Sequence, residues 1–289
     1  MARLPVSKTY KLYIGGGFPR TESGRYYQVH DQKGAFVANV SRGSRKDVRM
    51  AVQVARKAQG GWAARSPFNR GQILYRMAEM LEARGASFVQ LLVAAGQSRK
   101  AAEAEVDTAV DRLVWYAGWS DKLVQVFGAT NGVASSHFNF TVPEAMGVVS
   151  IFAPRSSPLL GLVSAIAPVI VHGNTCVVVV DSAAPHLAIE LGEVLATSDL
   201  PGGVVNLITG GREELLPHAV GHMDVDGIAA YGCTADEMKA VGVEGAESVK
   251  RVRCYDDPTP AQWRAEGEQS PYRILDFVEF KTAWHPIGV

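Results

Sequence analysis

Cys176, Cys233 and Cys254 are the thiols of this 289-residue chain, and their surroundings separate them at once. Cys176 lies inside the apolar run Thr175 to Val180, and Cys254 lies inside a strand-like run, Lys250 to Tyr255. Both read as packing residues. Cys233 stands in a Gly-Cys-Thr turn at a helix N-terminus, where a thiol's pKa can fall and a nucleophile can form. Tyr255 followed by Asp256 offers a pair for proton chemistry. Ser156 and Ser157, in a Pro-Arg-Ser-Ser-Pro turn, can cap a helix whose free N–H groups suit a phosphate. His218 and His222 are four apart, as in a helical metal pair, but no HExxH pattern surrounds them, and they read as surface histidines near a helix end. Gly15 to Gly17 lack the GxxxxGK[ST] spacing of a phosphate loop and read as a tight hairpin.

The elements that must position these residues centre on Val148 to Ser182. Val148 to Ala153 is a short apolar run and Leu159 to Val171 is long enough for a helix; after His-Gly-Asn comes a second apolar run, Thr175 to Val180. This is a strand–helix–strand unit whose strands are apolar without alternation, as when helices cover both faces of a parallel sheet. In such sheets ligands sit outside the carboxyl ends of the strands. The turn after the second strand, Asp181-Ser-Ala-Ala184, offers no Lys or Arg to hold a nucleotide.

Composition narrows the function further. With 47% hydrophobic and 20% charged residues, and 29 basic residues balancing 29 acidic ones, the chain reads as an ordinary globular protein with no nucleic-acid or anionic-membrane footprint. The start, MARLPVSKTYKLY, lacks the apolar core of a signal peptide. Cysteines without CxxC pairing fit a reducing cytoplasm and no structural zinc.

Taken in order, Lys11 to Phe18 reads as two short strands around a glycine turn, continued by strands at Tyr26 to Val29 and Phe36 to Val40. A helix from about Ser44, with Val48, Ala51, Val52 and Ala55 on one face, is expected to stop at Gly60-Gly61. Further helices carry Ile73 to Leu81, then Phe88, Leu91 and Leu92, then about Ala101 to Val126, where Trp115, Tyr116 and Trp119 read as helix packing. His137 to Val142 alternates as a bridging strand. Beyond the central unit come a helix at His186 to Ala196, a strand at Val204 to Ile208, the turn Thr209-Gly210-Gly211, a helix from Glu213 to about Val220 and a strand at Gly227 to Tyr231. Serial βα units of this kind predict an α/β fold with a doubly wound, Rossmann-like parallel sheet. Lys250 to Tyr255 is a candidate edge strand, Asp256 to Pro271 a linker, and Ile274 to Trp284 a terminal strand suited to pairing with another subunit.

These residues together resemble the NAD(P)-dependent aldehyde dehydrogenase superfamily. The likeness runs through Leu12-Tyr-Ile-Gly, Asp47-Val with Ala51-Val, Gly61-Trp62 and Tyr116-Ala-Gly-Trp-Ser-Asp-Lys122. It continues through Pro143-Glu-Ala-Met-Gly-Val-Val149, Gly173-Asn-Thr175, Leu200-Pro-Gly-Gly-Val-Val-Asn206, Asp224-Val-Asp226, Gly232-Cys-Thr234, Lys250-Arg-Val252 and Val278-Glu-Phe-Lys-Thr-Ala-Trp284. The combined order is specific, although no single motif is.

The resemblance implies a helical N-terminal part of a coenzyme domain (1–136), a bridging strand (137–147), a Rossmann-like domain (148–257), a linker in place of the catalytic domain (258–271) and a C-terminal oligomerisation strand in a small β sheet (272–289). The family's chemistry uses a Cys thiolate, an Asn oxyanion donor, a Glu base and NAD. Here Ser156 stands at the Asn position, Tyr255 at the Glu position, and Val179-Val-Asp-Ser182 replaces the Lys-Pro-Ser-Glu that grips the adenosine ribose. Losing that Lys and Glu removes charge-assisted bonds of about 1.5–3 kcal/mol each. The segment carrying the nucleophilic Cys is absent between Pro258 and the terminal strand.

Pro154, Ser156, Gly210, Gly232, Cys233 and Thr234 are therefore the vestigial candidates for a cofactor cleft, with no catalytic residue and no metal ligand among them. No tightly held cofactor is expected, and NAD at most weakly. The leading expectation is a catalytically inactive subunit that joins a full-length aldehyde dehydrogenase through the strand Phe277 to Trp284. The alternative is a weak or altered NAD-dependent oxidoreductase that uses Cys233 with Tyr255 and Asp256.

Overall fold

In the computed structural model, which describes residues 8–180 and 184–288, the apolar runs become the centre of the molecule. The elements in chain order are β1 (Thr9–Tyr10), β2 (Tyr26–His30), β3 (Phe36–Ser41), α1 (Arg45–Ala63), α2 (Pro67–Ala83), α3 (Gly85–Ala94), α4 (Arg99–Ala117), α5 (Leu123–Phe127), β4 (Ala129–Asn131) and β5 (His137–Ala145). There follow β6 (Val148–Phe152), α6 (Leu160–Ile170), β7 (Thr175–Val180), α7 (Pro185–Ala196), β8 (Val205–Thr209), α8 (Arg212–Val220), β9 (Gly227–Tyr231), α9 (Ala235–Ala246), β10 (Arg251–Tyr255), α10 (Pro260–Arg264), α11 (Tyr272–Leu275) and β11 (Val278–Pro286).

Every residue of β6, β7, β8 and β9 is buried. These strands and β10 form a five-stranded parallel sheet in the order β10-β9-β6-β7-β8. Alternate side chains enter two cores. Val148, Phe152, Val177 and Ile228 meet α1, α8 and α9 on one face, while Val149, Ile151, Val178 and Leu207 meet the layer of α2, α4, α6 and α7 on the other. This is the doubly wound fold the sequence implies. The chain leaves β6 towards β7 and β8, then returns to place β9 on the opposite side, so the switch point lies between β6 and β9. In open α/β sheets that is where a crevice forms at the carboxyl ends.

Two smaller sheets flank this frame: β1-β3-β2, and β11-β5-β4. In the second, β11 runs antiparallel to β5 from Val278 opposite Ala145 to Pro286 opposite His137. No helix among the described residues is long and apolar enough to cross a membrane.

Several expectations are corrected. The first helix continues through Gly60-Gly61 to Ala63 because Trp62 is buried and its Nε1 donates to Ile170 O at 2.8 Å; this anchor overrides the glycines' poor helix propensity. The stretch 101–126 is two helices, since α4 ends at Ala117 before Gly118 and α5 begins at Leu123. Residues 235–246, for which the sequence marks a helix start at Cys233 but no extent, form α9, whose start carries the reciprocal Thr234/Glu237 capping box. The tract read as a linker contains α10, capped by Thr259 and Gln262, with Trp263 buried. Ile274 and Leu275 belong to α11 rather than to the terminal strand, which starts at Val278. Around the Gly15-Gly16 turn, only an Ile14–Gly17 bridge and a Tyr13–Leu207 bridge replace the expected strands.

Two buried polar groups set stability. Glu105 is 1% exposed, and its Oε1 accepts from the backbone N–H groups of Leu159 and Leu160 at 3.0 and 3.2 Å. A carboxylate of the chain itself thus holds the start of α6. Glu105→Gln should lower stability by about 2 kcal/mol, read as a shifted urea midpoint with an unchanged slope. His186 is buried with both ring nitrogens unpartnered, and burial pushes its pKa from 6.5 down to about 4. The unfolded chain therefore binds this proton first, and stability present above pH 6.5 is lost as pH falls towards 4, by up to about 3 kcal/mol. His186→Phe should flatten this acid slope in denaturation series run between about pH 7 and about pH 4.

Candidate functional site

The crevice between β6 and β9 is built from three chain segments. After β6, the turn of residues 153–158 crosses the carboxyl end of the sheet. After β9, Gly232 adopts a left-handed φ of 56°, and its N–H donates to Tyr255 O at 2.9 Å. After β10, Asp257 reaches back into the space between them.

Asp257 occupies the turn as a bound anion would. Its Oδ2 accepts from the backbone N–H groups of Arg155 and Ser156 at 2.9 and 3.2 Å. Its Oδ1 lies 2.7 Å from the Ser156 hydroxyl. That hydroxyl also lies 2.5 Å from Pro258 O and accepts from Trp263 Nε1 at 3.0 Å. Gly232 makes room for this arrangement: a Cβ there would stand 2.9 Å from Asp257 Cβ. The Arg155 and Ser156 N–H groups and the Ser156 hydroxyl are thus satisfied from within the chain.

On the other side of the crevice lies Arg212, 1% exposed. Its guanidinium donates to Tyr231 O at 2.7 Å and to Ala153 O at 3.0 Å, the carbonyls that end β9 and lead out of β6. Glu237 stands 3.7 Å away, and the Phe152 ring lies beneath the charge at 5.6 Å. Arginine at the first position of a helix opposes the helix dipole; the carbonyl partners supply the reason for its place. That conflict is the signal by which the sequence could have marked Arg212.

The other candidates fall as follows. Pro154 packs against the first turn of α6 at Gly161. Ser156 and Gly232 share Asp257 as a neighbour. Gly210 lies apart, at φ 155° after β8, packed against Gly43 and Leu215. Thr234 is the N-cap of α9, bonded to Glu237 N at 3.2 Å, while Glu237 Oε2 takes the Thr234 N–H at 2.9 Å. Neither Ser156 nor Ser157 caps α6; Glu105 does that work. Asp181 and Ser182 lie outside the described residues.

The proposed nucleophile and base are corrected on chemical grounds. Burial pushes the Cys233 thiol up to about 11, with Arg212 opposing the shift, so the lowered pKa expected of a helix N-terminus is not present. Tyr255 is raised far above its ordinary range by burial, with Tyr231 and Asp276 contributing. Its hydroxyl donates to Asp276 Oδ2 at 2.7 Å, not to Asp256, and the Arg273 guanidinium lies 4.2 Å from its ring centre. His222 Nδ1 accepts from Asp224 N at 3.2 Å, and among the described residues no group of three His, Cys, Asp or Glu could hold a metal. Trp115 meets Tyr116 edge-on at 88° and Trp119 at a tilt of 43°, and Tyr116 is buried. A groove of about 600 Å³ lies elsewhere, between α2, α3 and α4, with Glu82, Val89, Glu103 and Asp107 in its walls.

Removing Asp257 should test how much the crevice depends on it. Asp257→Ala leaves two turn N–H groups and the Ser156 hydroxyl without their acceptor, a loss of about 2–4 kcal/mol. Asp257→Asn, which keeps one carbonyl oxygen, should lose less. Urea denaturation gives the ranking, and a red shift in tryptophan emission for the alanine variant would report the release of Trp263.

The comparisons with known proteins agree with this architecture. The model described as "Aldehyde dehydrogenase family" matches residues 18–254. Curated relatives include an aldehyde dehydrogenase from Aspergillus niger, 30% identical over 245 residues, covering 83% of this chain and 48% of the relative. Another is the mitochondrial benzaldehyde dehydrogenase of Antirrhinum majus, 30% identical over 254 residues, covering 86% and 47%. Among solved structures, HpcC from Thermus thermophilus superposes with a TM-score of 0.81 at 28% identity, covering 86% of this chain and 48% of that one. The NAD+ complex of an aldehyde dehydrogenase from Bacillus cereus gives 0.81 at 25% identity, covering 86% and 51%. The chain thus spans about half the length of the relatives it matches.

Proposed function

The chain belongs to the aldehyde dehydrogenase family, and from that premise we propose that it is a non-catalytic subunit assembling with a complete aldehyde dehydrogenase as a structural or regulatory partner. The observation that carries this reading is the self-filled crevice: Arg212, Asp257 and Trp263 take up the donors and acceptors at the switch point. A dinucleotide entering there would have to break charge-assisted bonds before making its own, which opposes binding. A relative has been solved with NAD+; for this chain we propose weak or no NAD binding. Ser156 and Tyr255, which by resemblance stand at the family's oxyanion-donor and base positions, have their hydroxyls engaged by Asp257, Pro258 and Asp276, which supports this reading.

The partner reading rests on β11. It is the outer strand of its sheet, nine residues long and paired on one side by β5. Phe280, Trp284 and Ile287 are exposed on or beside it, and Phe138 on β5. An unpaired strand edge with apolar neighbours invites another strand. On α9, Met238 and Val243 are also exposed, with Val249 just beyond the helix, giving a second surface for the same partner.

Co-expression with a full-length aldehyde dehydrogenase, followed by mass measurement in solution, should give a mixed oligomer. Trp284→Lys should weaken it at least about tenfold, the loss of one well-packed interface anchor. Aldehyde oxidation by the mixed species should be unchanged by Cys233→Ala in this chain. A chain that stands alone, binds NAD tightly and oxidises an aldehyde only with Cys233 intact would overturn the proposal.

A further inference from the structure

Cys233 and Cys254 stand in separate segments of the sequence, yet the fold brings them together. Cys254 sits on β10 opposite Ala230 of β9. Three residues after Ala230 comes Cys233, carried over the end of β10 by the left-handed Gly232 and its N–H bond to Tyr255 O. The two thiols are close enough for each to influence the other's titration. Cys254 is exposed and Cys233 partly so, whereas Cys176 is buried. Cys233 lies past the β9–β10 ladder, whose last pair is Tyr231 opposite Tyr255, so the left-handed turn at Gly232 rather than strand pairing sets how the two thiols approach.

We infer that Cys233 and Cys254 form a dithiol modification site that small organic disulfides, such as glutathione disulfide, convert into an intramolecular Cys233–Cys254 bond. The exposed Cys254 thiolate, its proton released to solvent, attacks one sulfur of the small disulfide. That S–S bond breaks, and the leaving thiolate takes up a proton. Cys233, deprotonated in turn, attacks the Cys254 sulfur of the mixed disulfide and expels the second small thiolate, which is also protonated. Two protein thiols are oxidised to one disulfide, and one small disulfide is reduced to two thiols. The product ties the start of α9 to β10 and encloses the whole helix in a covalent loop.

The groups facing the pair set its pace. Arg212 from α8 favours the Cys233 thiolate, Glu237 from α9 opposes it, and burial holds both thiols protonated. Exchange is therefore slow near neutrality and accelerates about tenfold per pH unit between about pH 7 and about pH 9, following the thiolate fraction.

The test uses the native chain in a glutathione/glutathione disulfide buffer, acid quenching, alkylation and peptide mass mapping. The expected product is a Cys233–Cys254 cross-linked peptide, with Cys176 alkylated only after unfolding, and a melting temperature several degrees above that of the reduced chain. Cys233→Ser should instead keep glutathione on Cys254 as a stable mixed disulfide. The inference is overturned if the wild-type chain accumulates that mixed disulfide without resolving it. Disulfides between chains, or two free thiols in a buffer that modifies Cys254 in the Cys233→Ser variant, would overturn it equally.

Discussion

One carboxylate, that of Asp257, joins parts of the chain that no regular element connects. It closes the turn after β6 by taking the Arg155 and Ser156 N–H groups, and it packs over Gly232 at the end of β9. It also fixes the path by which the chain leaves β10 for α10. Because hydrogen bonds to an ionised group are roughly twice as strong as neutral ones, this residue sets the geometry at the carboxyl end of the sheet. Trp263 and Pro258 then cover the same turn by bonding to the Ser156 hydroxyl. Elsewhere in α/β proteins, such a turn presents donors to a ligand. Here the Arg155 and Ser156 N–H groups and the Ser156 hydroxyl are spent within the chain.

Helix α4 supports the arrangement from below with two buried charges. Glu105 holds the first turn of α6, and Arg112, seven residues on and so on the same face, donates to Ser164 Oγ on α6 at 2.9 Å and to Trp263 O at 2.8 Å. The covering segment is therefore tied to the helical layer as well as to the sheet. Arg251 extends the connection outward, donating to Val278 O and pairing with Glu279 at 2.8 Å, so β10 is linked to the strand proposed to meet a partner. A crevice filled by its own side chains and an open strand edge elsewhere agree with a role in assembly rather than in turnover.

The legibility of the fold follows the kind of force at work. β6, α6 and β7 are readable because burial on both sides leaves an unbroken apolar signature, and the Thr175 to Val180 boundaries match. Residues 258–271 are not, because the order of α10 comes from single polar contacts across about a hundred residues, such as Trp263 to Ser156, which leave no period. Helix α9 is announced only by Thr234 and Glu237, a capping pair that stands beside the more conspicuous cysteine. For the site, sequence position alone names Ser156 and Gly232, which the fold sets beside the same Asp257. It misplaces Gly210, and it misses Arg212 and Asp257, whose roles depend on which carbonyls and N–H groups surround them. The thiol of Cys233 illustrates the same limit: its helix terminus is readable, but the burial that outweighs the dipole is not.

The most direct test of the central claim is hydrogen–deuterium exchange of the native chain with and without saturating NAD. If Asp257 and Arg212 fill the crevice, peptides covering residues 153–158 and 231–234 should exchange slowly and identically in both samples, since the Ala153, Arg155, Ser156, Gly232 and Thr234 amides are already paired. If NAD changes exchange in both segments, the crevice is open to the dinucleotide and the account of a non-catalytic subunit with a self-occupied site is wrong.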